Sequence, residues 1–94
     1  GNKMTAAESA EAARKAYERL GALNQINHDT AEQPMRDLAE QLGLKAGQLF
    51  GILRVAVTGR TISPPLFETM EVIGKETVLT RIQSAVELLA GLDA

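Results

Sequence analysis

Few side chains in these 94 residues have a type and spacing that could do chemistry, and the neighbours His28 and Asp29 are the first to weigh. A histidine beside a carboxylate imitates a general base with its orienting acid. A working base also needs a nucleophile and a pocket, and the sequence supplies no cysteine, no second histidine, no Gly-rich phosphate loop of Walker type and no nucleophile elbow. The simpler reading of His28 is a solvated loop residue. Lack of cysteine removes disulfides, thiol nucleophiles and cysteine-ligated zinc together, and one histidine cannot build a multi-histidine metal site. No catalytic residue, metal or cofactor is therefore expected in this segment. Glu8, Glu11 and Glu18, interleaved with Arg14 and Arg19, have the spacing of a wet helix face.

The cations are placed more informatively. Ten Lys and Arg against twelve Asp and Glu leave a net charge of −2, so the basic excess typical of generic nucleic-acid binders is missing. Residues 1–40 carry five basic and seven acidic groups, and residues 68–94 carry two and five. Residues 41–67 hold Lys45, Arg54 and Arg60 with no acid at all. Charges of one sign gathered in one place are what phosphate attraction requires. Arg54 lies inside the most apolar stretch, where a charge must reach an edge on its long stem, meet an anionic ligand or pair internally with a glutamate.

The elements that carry these residues follow from length and pattern. Ninety-four residues amount to one small domain, and 45% apolar against 23% charged is the balance of a chain that folds around one core. No apolar run approaches the roughly 18 residues of a membrane span, and the polar, then alanine-rich N-terminus is unlike a signal sequence. A cytosolic chain is expected, with residues 1–3 before Met4 as an expression remnant. Gly21, Gly43, Gly59, Gly74 and Gly91 each close a stretch of helical apolar spacing, as residues that turn left-handed after a helix do, so five helices are predicted.

Thr5 and Glu8 form a capping-box pattern that starts a helix over 6–20, with Ala6, Ala10, Ala13, Tyr17 and Leu20 on its inner stripe. The second helix starts at a cap on Thr30, with Gln33 three residues on, or at Pro34 as first helical residue. Its inner face is Met35, Leu38, Ala39 and Leu42. The third, from Ala46 or Gly47 to Thr58, has almost no polar face and is expected at the centre of the domain. Ile52–Val57 also suits a buried strand, yet no partner strand exists elsewhere. Ser63 as cap and Pro64 as first residue start the fourth helix, which ends at Ile73. The fifth turns Val78, Leu79, Ile82, Ala85, Val86 and Leu89 to one side. Phe50 and Phe67, apolar on both flanks, read as core and not as base-stacking platforms.

Three spaced blocks add a family. Lys45–Gly59 fits K-x-G-Q-x-F-x-x-L-R-V-A-x-T-G, Ser63–Glu68 fits S-P-x-L-F-E, and Ile73–Ile82 fits L-G-K-E-x-x-L-x-R-I apart from its first residue. In this order they resemble the C-terminal end of bacterial glutamyl-tRNA synthetase, a class I aminoacyl-tRNA synthetase. The likeness covers about half the chain, and residues 30–43 look like the helix that precedes these blocks in the family. Ile52 stands where the family often has proline, and Ile73 where leucine is common.

The resemblance implies an all-α bundle that binds the anticodon. It would be the last piece of an enzyme that joins glutamate to its tRNA with ATP and magnesium in a separate catalytic domain. That domain's HIGH-like and KMSKS-like motifs have no counterpart here. The implied partners are the anticodon loop of tRNA(Glu) and the rest of the synthetase, with no DNA and no membrane. By the same resemblance, anticodon bases are met by Arg54 and by the stretch Gly59–Leu66, in which Ser63, Pro64 and Leu66 carry the role. Lys45, Arg60 and Lys75 are the candidate phosphate contacts. An unstacked loop base offers edges to the donors of Arg54 and the hydroxyl of Ser63, while Pro64, Pro65 and Leu66 would form a stiff apolar ledge. The other reading is a helical protein-interaction module, docking on the synthetase body through acidic helices and exposed apolar surface.

Overall fold

Thr5 starts the first helix as its sequence predicts: in a computed structural model that describes residues 4–92, its hydroxyl accepts the Glu8 N–H at 3.0 Å while Glu8 accepts the Thr5 N–H at 2.8 Å. The five helices are α1 (Ala6–Gly21), α2 (His28–Gln41), α3 (Ala46–Thr58), α4 (Leu66–Ile73) and α5 (Lys75–Gly91). Among the described residues there is no strand, and Ile52–Val57 belongs to α3. Residues 1–3, read above as a remnant, lie outside the described residues.

α1 packs chiefly on α5, and the two run antiparallel, since Ser9 shares a groove with Leu88 and Leu89 while Gly21 faces Leu79. The inner face of α1 is Ala10, Ala12, Ala13, Ala16 and Leu20, so the stripe is turned towards Ala12 and Ala16 and leaves Tyr17 half-buried. Alanines let the two backbones approach closely, and the outer face is held by Arg14 between Glu11 and Glu18, each at 2.6 Å.

The start of α2 differs from the sequence expectation. Asn27, not Thr30, is the cap: its side chain accepts the Thr30 N–H at 2.9 Å, and the Thr30 hydroxyl accepts the Asn27 N–H at 3.0 Å. Thr30 therefore fills the position usually given to Glu or Gln in the reciprocal box, a substitution that the usual pattern does not reveal. Pro34 lies inside the helix, where it has no N–H to give the Thr30 carbonyl.

Only three of the five glycines turn left-handed. Gly43, Gly59 and Gly74 have φ of 72°, 73° and 98°, whereas Gly21 and Gly91 are the last helical residues of α1 and α5. The start of α4 is also later than expected: Pro65 sits at the cap and Leu66 is the first helical residue, so Ser63 and Pro64 belong to the preceding loop. The connecting loop is thus longer and more exposed than a Ser63-capped helix would leave it.

All five helices contribute to one core, in which Leu20, Met35, Leu38, Leu49, Leu53, Met70, Val78 and Ile82 are fully enclosed. α3 supplies Leu49, Leu53 and Val57, but it is not buried on all sides, because Val55 is 46% exposed and Ile52 and Ala56 are half-buried. Its apolar outer face is a surface, contrary to the expectation of a fully enclosed central helix. Phe50 and Phe67 meet edge to face with centroids 5.2 Å apart, and the Arg36 guanidinium covers Phe50 at 5.4 Å, which accounts for both rings within the fold.

Candidate nucleic-acid interface

α3 ends because Gly59 takes a left-handed backbone, and its N–H closes on the Val55 carbonyl at 2.8 Å. The Thr58 hydroxyl reinforces this end by donating to the Arg54 carbonyl at 2.7 Å and accepting the Arg60 N–H at 3.1 Å. From there residues 59–65 cross the surface to α4. Arg54, one turn before the end of α3, reaches this loop: its Nε donates to Ser63 Oγ at 2.9 Å, and Ser63 Oγ donates in turn to the Pro64 carbonyl at 2.8 Å. Sequence reasoning left an internal glutamate pair open for Arg54. Among the described residues the guanidinium has no carboxylate partner, and its bond goes to the loop hydroxyl instead.

Arg54 and Ser63 are thus brought together, and Pro64 is exposed beside them. Leu66 does not join an exposed ledge. It is 4% exposed and packs in the core, because α4 begins at this residue and turns it inward. The most exposed large apolar side chain of the loop is Ile62, at 84%, which lies in the expected stretch Gly59–Leu66 but was not singled out there because β-branched residues in a loop carry no periodic signal. Arg60 is exposed on the loop, and Lys45 is exposed at the N-terminal cap of α3, twelve residues along the helix from Val57. Lys75 is engaged elsewhere: its ammonium donates to the Leu23 carbonyl, tying the start of α5 to the α1–α2 connection.

One cation was missed. Arg81 of α5 donates from Nη1 to the Val57 carbonyl at 2.7 Å, so it reaches the last turn of α3, between Arg54 and the loop. It lies in the sequence among the acids of the C-terminal third, which hid its spatial neighbours.

His28 is the first residue of α2, not a loop residue, with Nε2 2.8 Å from Glu32 and Nδ1 3.3 Å from Asp29. The hydrogen bond to Asp29, followed by the Glu32 charge, holds its pKa above the ordinary imidazole value of 6.5. The protonated form therefore favours the folded chain. That contribution is complete below about 6.5 and is lost as pH rises through the higher folded value. Proton NMR of the single imidazole should show a titration midpoint above that of a free histidine, and Glu32→Gln should move it down. An unchanged midpoint would contradict the pairing.

A second surface lies on the outer side of α3. An open groove of about 620 Å³ runs between α3 and α5, lined by Gly51, Ile52, Val55, Ala85, Leu88 and Leu89, with Ser9 of α1 at one edge. It is apolar, and Leu88 is largely exposed. Among the described residues no cluster of three or more His, Cys, Asp or Glu could hold a metal, and no helix is long and apolar enough to cross a membrane.

The loop is thus pinned by one arginine and free of acidic residues, on the surface of a helical bundle. A family model described as an anticodon binding domain matches residues 1–86. The chain belongs to this family. The anticodon-binding domain is 48% identical to a glutamate–tRNA ligase of Roseiflexus castenholzii over 92 residues, covering 98% of this chain and 18% of that protein. A glutamate–tRNA ligase of Roseiflexus sp. (strain RS-1) is 52% identical over 83 residues, 88% of this chain and 16% of the relative. One of Dehalococcoides mccartyi (strain ATCC BAA-2266) is 48% identical over 90 residues, 96% and 19% of the respective lengths. The chain spans less than a fifth of the length of these curated relatives. Its likeness to them extends through α1, well beyond the half that the motif blocks cover.

Proposed function

We propose that this domain reads the anticodon loop of tRNA(Glu) as the C-terminal module of a cytoplasmic glutamate–tRNA ligase, whose catalytic domain elsewhere uses ATP and magnesium. The observation that carries this reading is the Arg54–Ser63 contact at the base of an exposed loop, with Arg60 on the loop itself and no acidic residue between residues 41 and 67. Arg54 has further donors beyond the one given to Ser63, and a planar guanidinium matches the acceptors of a base edge or a phosphate. Pinning the loop in advance lowers the ordering cost of binding. Ile62 and Pro64 supply exposed apolar surface for the face of an unstacked base. In this reading the domain binds and orients, and no bond is made or broken by its own side chains.

The α3–α5 groove favours a second contact, with the body of the synthetase. The two contacts use different faces of α3, Ile52 and Val55 for the groove and Arg54 for the loop, and meet at Arg81, which lines the groove and reaches the Val57 carbonyl. Salt separates them. Binding of the full-length synthetase to an anticodon stem-loop of tRNA(Glu) should weaken steeply as salt rises, with the slope falling by roughly one unit in each of Lys45→Gln and Arg60→Gln. Affinity that is flat in salt and indifferent to both substitutions would favour an apolar docking module without RNA reading.

A further inference from the structure

The Val57 carbonyl lies in the final turn of α3, where a helix runs out of N–H donors for its own acceptors. The chain solves part of this locally, since Gly59 N–H serves Val55, while the Thr58 hydroxyl adds a second donor to the Arg54 carbonyl one turn back. The Val57 carbonyl is served from another element, by Arg81 at 2.7 Å across 24 residues of sequence. A cation at this place also opposes the partial negative charge of the helix C-terminus. Among the described residues Arg81 has no carboxylate partner, so nothing else is seen to claim its charge.

We propose that Arg81 is a positioning residue for anticodon reading: by fastening α5 to the last turn of α3 it fixes the direction in which residues 59–65 leave the bundle, and so where Arg54 and Ser63 meet the RNA. This rests on the anticodon reading proposed above. The direction of departure matters because the α3 end of the loop has few ties, whereas its far end is held by Thr69 of α4, whose hydroxyl donates to the Pro65 carbonyl at 2.8 Å. Thr58 holds Arg60, Arg54 holds Ser63, and both bonds originate in the turn of α3 that Arg81 secures. A small rotation of that turn moves both tethers together. Arg81 acts through the carbonyl of Val57 and needs no contact with RNA.

The experiment is aminoacylation by the full-length synthetase, comparing kcat/KM for tRNA(Glu) with that for the same tRNA carrying a substituted anticodon base. Arg81→Met should lower this discrimination roughly tenfold, a fraction of the loss that a misplacement of about 1 Å produces, with KM for glutamate and ATP unchanged. Arg81→Lys should keep most of it, since an ammonium can still donate to one carbonyl. Melting temperature is followed for each variant. Discrimination within twofold of the parent in Arg81→Met, with only the melting temperature lowered, would make Arg81 a structural residue and overturn the proposal. Equal loss in Arg81→Lys and Arg81→Met would also overturn it, by pointing to a direct contact that needs the planar guanidinium. Arg54→Ala, run alongside, separates the two levels. If it abolishes discrimination while Arg81→Met does not, only the role of Arg81 fails. If neither variant loses discrimination, the anticodon reading itself fails.

Discussion

Replacing Arg54 by alanine in the full-length synthetase is expected to reduce discrimination between native and altered anticodons by about one to two orders of magnitude. That range is the worth of a hydrogen bond to a charged group, about 1.5–3 kcal/mol, when the partner is left without it. The fold should survive. Arg54 is only partly buried, the one side-chain hydrogen bond it makes among the described residues is to Ser63 Oγ, and losing that bond costs on the order of 1 kcal/mol, a fall of a few degrees in melting temperature for a domain of this size. Ser63→Ala removes the same internal contact and leaves the guanidinium in place. It should show the small stability loss with a weaker effect on discrimination. Equal stability loss in both variants with unchanged discrimination would mean that Arg54 serves only to hold the loop.

Truncating the next residue inward should do the opposite. Leu53 is fully enclosed, at 0% exposure, on the face of α3 that meets the core with Leu49 and Val57. Leu53→Ala removes three methyl-sized groups from a closely packed interior that relaxes only in part, which costs about 2–5 kcal/mol. For a domain of under 100 residues this corresponds to a fall of roughly 10–30 °C in melting temperature, a large share of a total stability on the order of 5–15 kcal/mol. The full-length enzyme should lose tRNA affinity and anticodon discrimination together as this module unfolds, whereas Arg54→Ala changes discrimination in a folded module. Calorimetry and aminoacylation on the two variants make the contrast direct. A melting temperature within a few degrees of the parent for Leu53→Ala would contradict the packing of α3.

Most of the fold was legible because apolar spacing, capping patterns and glycine stops agreed with one another. The number of helices, the box at Thr5 and the ends of α3 follow from local chemistry alone. Errors arose where one signal had two meanings. Thr30 followed by Gln33 looked like a cap, but Asn27 stands three residues before Thr30 and is the better acceptor in context. Ser63–Pro64 had the form of a helix start, yet the hydroxyl was taken by Arg54 and the helix began two residues later. That error concerned the candidate site itself, since a helix that begins at Leu66 buries this residue and leaves Ile62 in the exposed loop. α3 appeared central because composition reports how apolar a helix is and not how many neighbours cover it. Arg81 stands in the third motif block, but its role could not be read there, because its partner is a backbone carbonyl that only the tertiary fold brings near.

The alanine face of α1 has a consequence for how this domain can vary. Ala12, Ala13 and Ala16 are almost wholly enclosed where α1 lies on the bundle, so the distance between backbones is set by side chains that cannot become smaller without turning to glycine. Each of these positions admits growth only by pushing helices apart, whereas Leu49 and Leu53 across the core admit change chiefly by leaving a void. Two helices of one small bundle therefore drift under opposite volume constraints, one with a ceiling and one with a floor. Paired changes, a larger residue on α1 matched by a smaller one facing it, are the route by which the spacing between the helices can move without collapse.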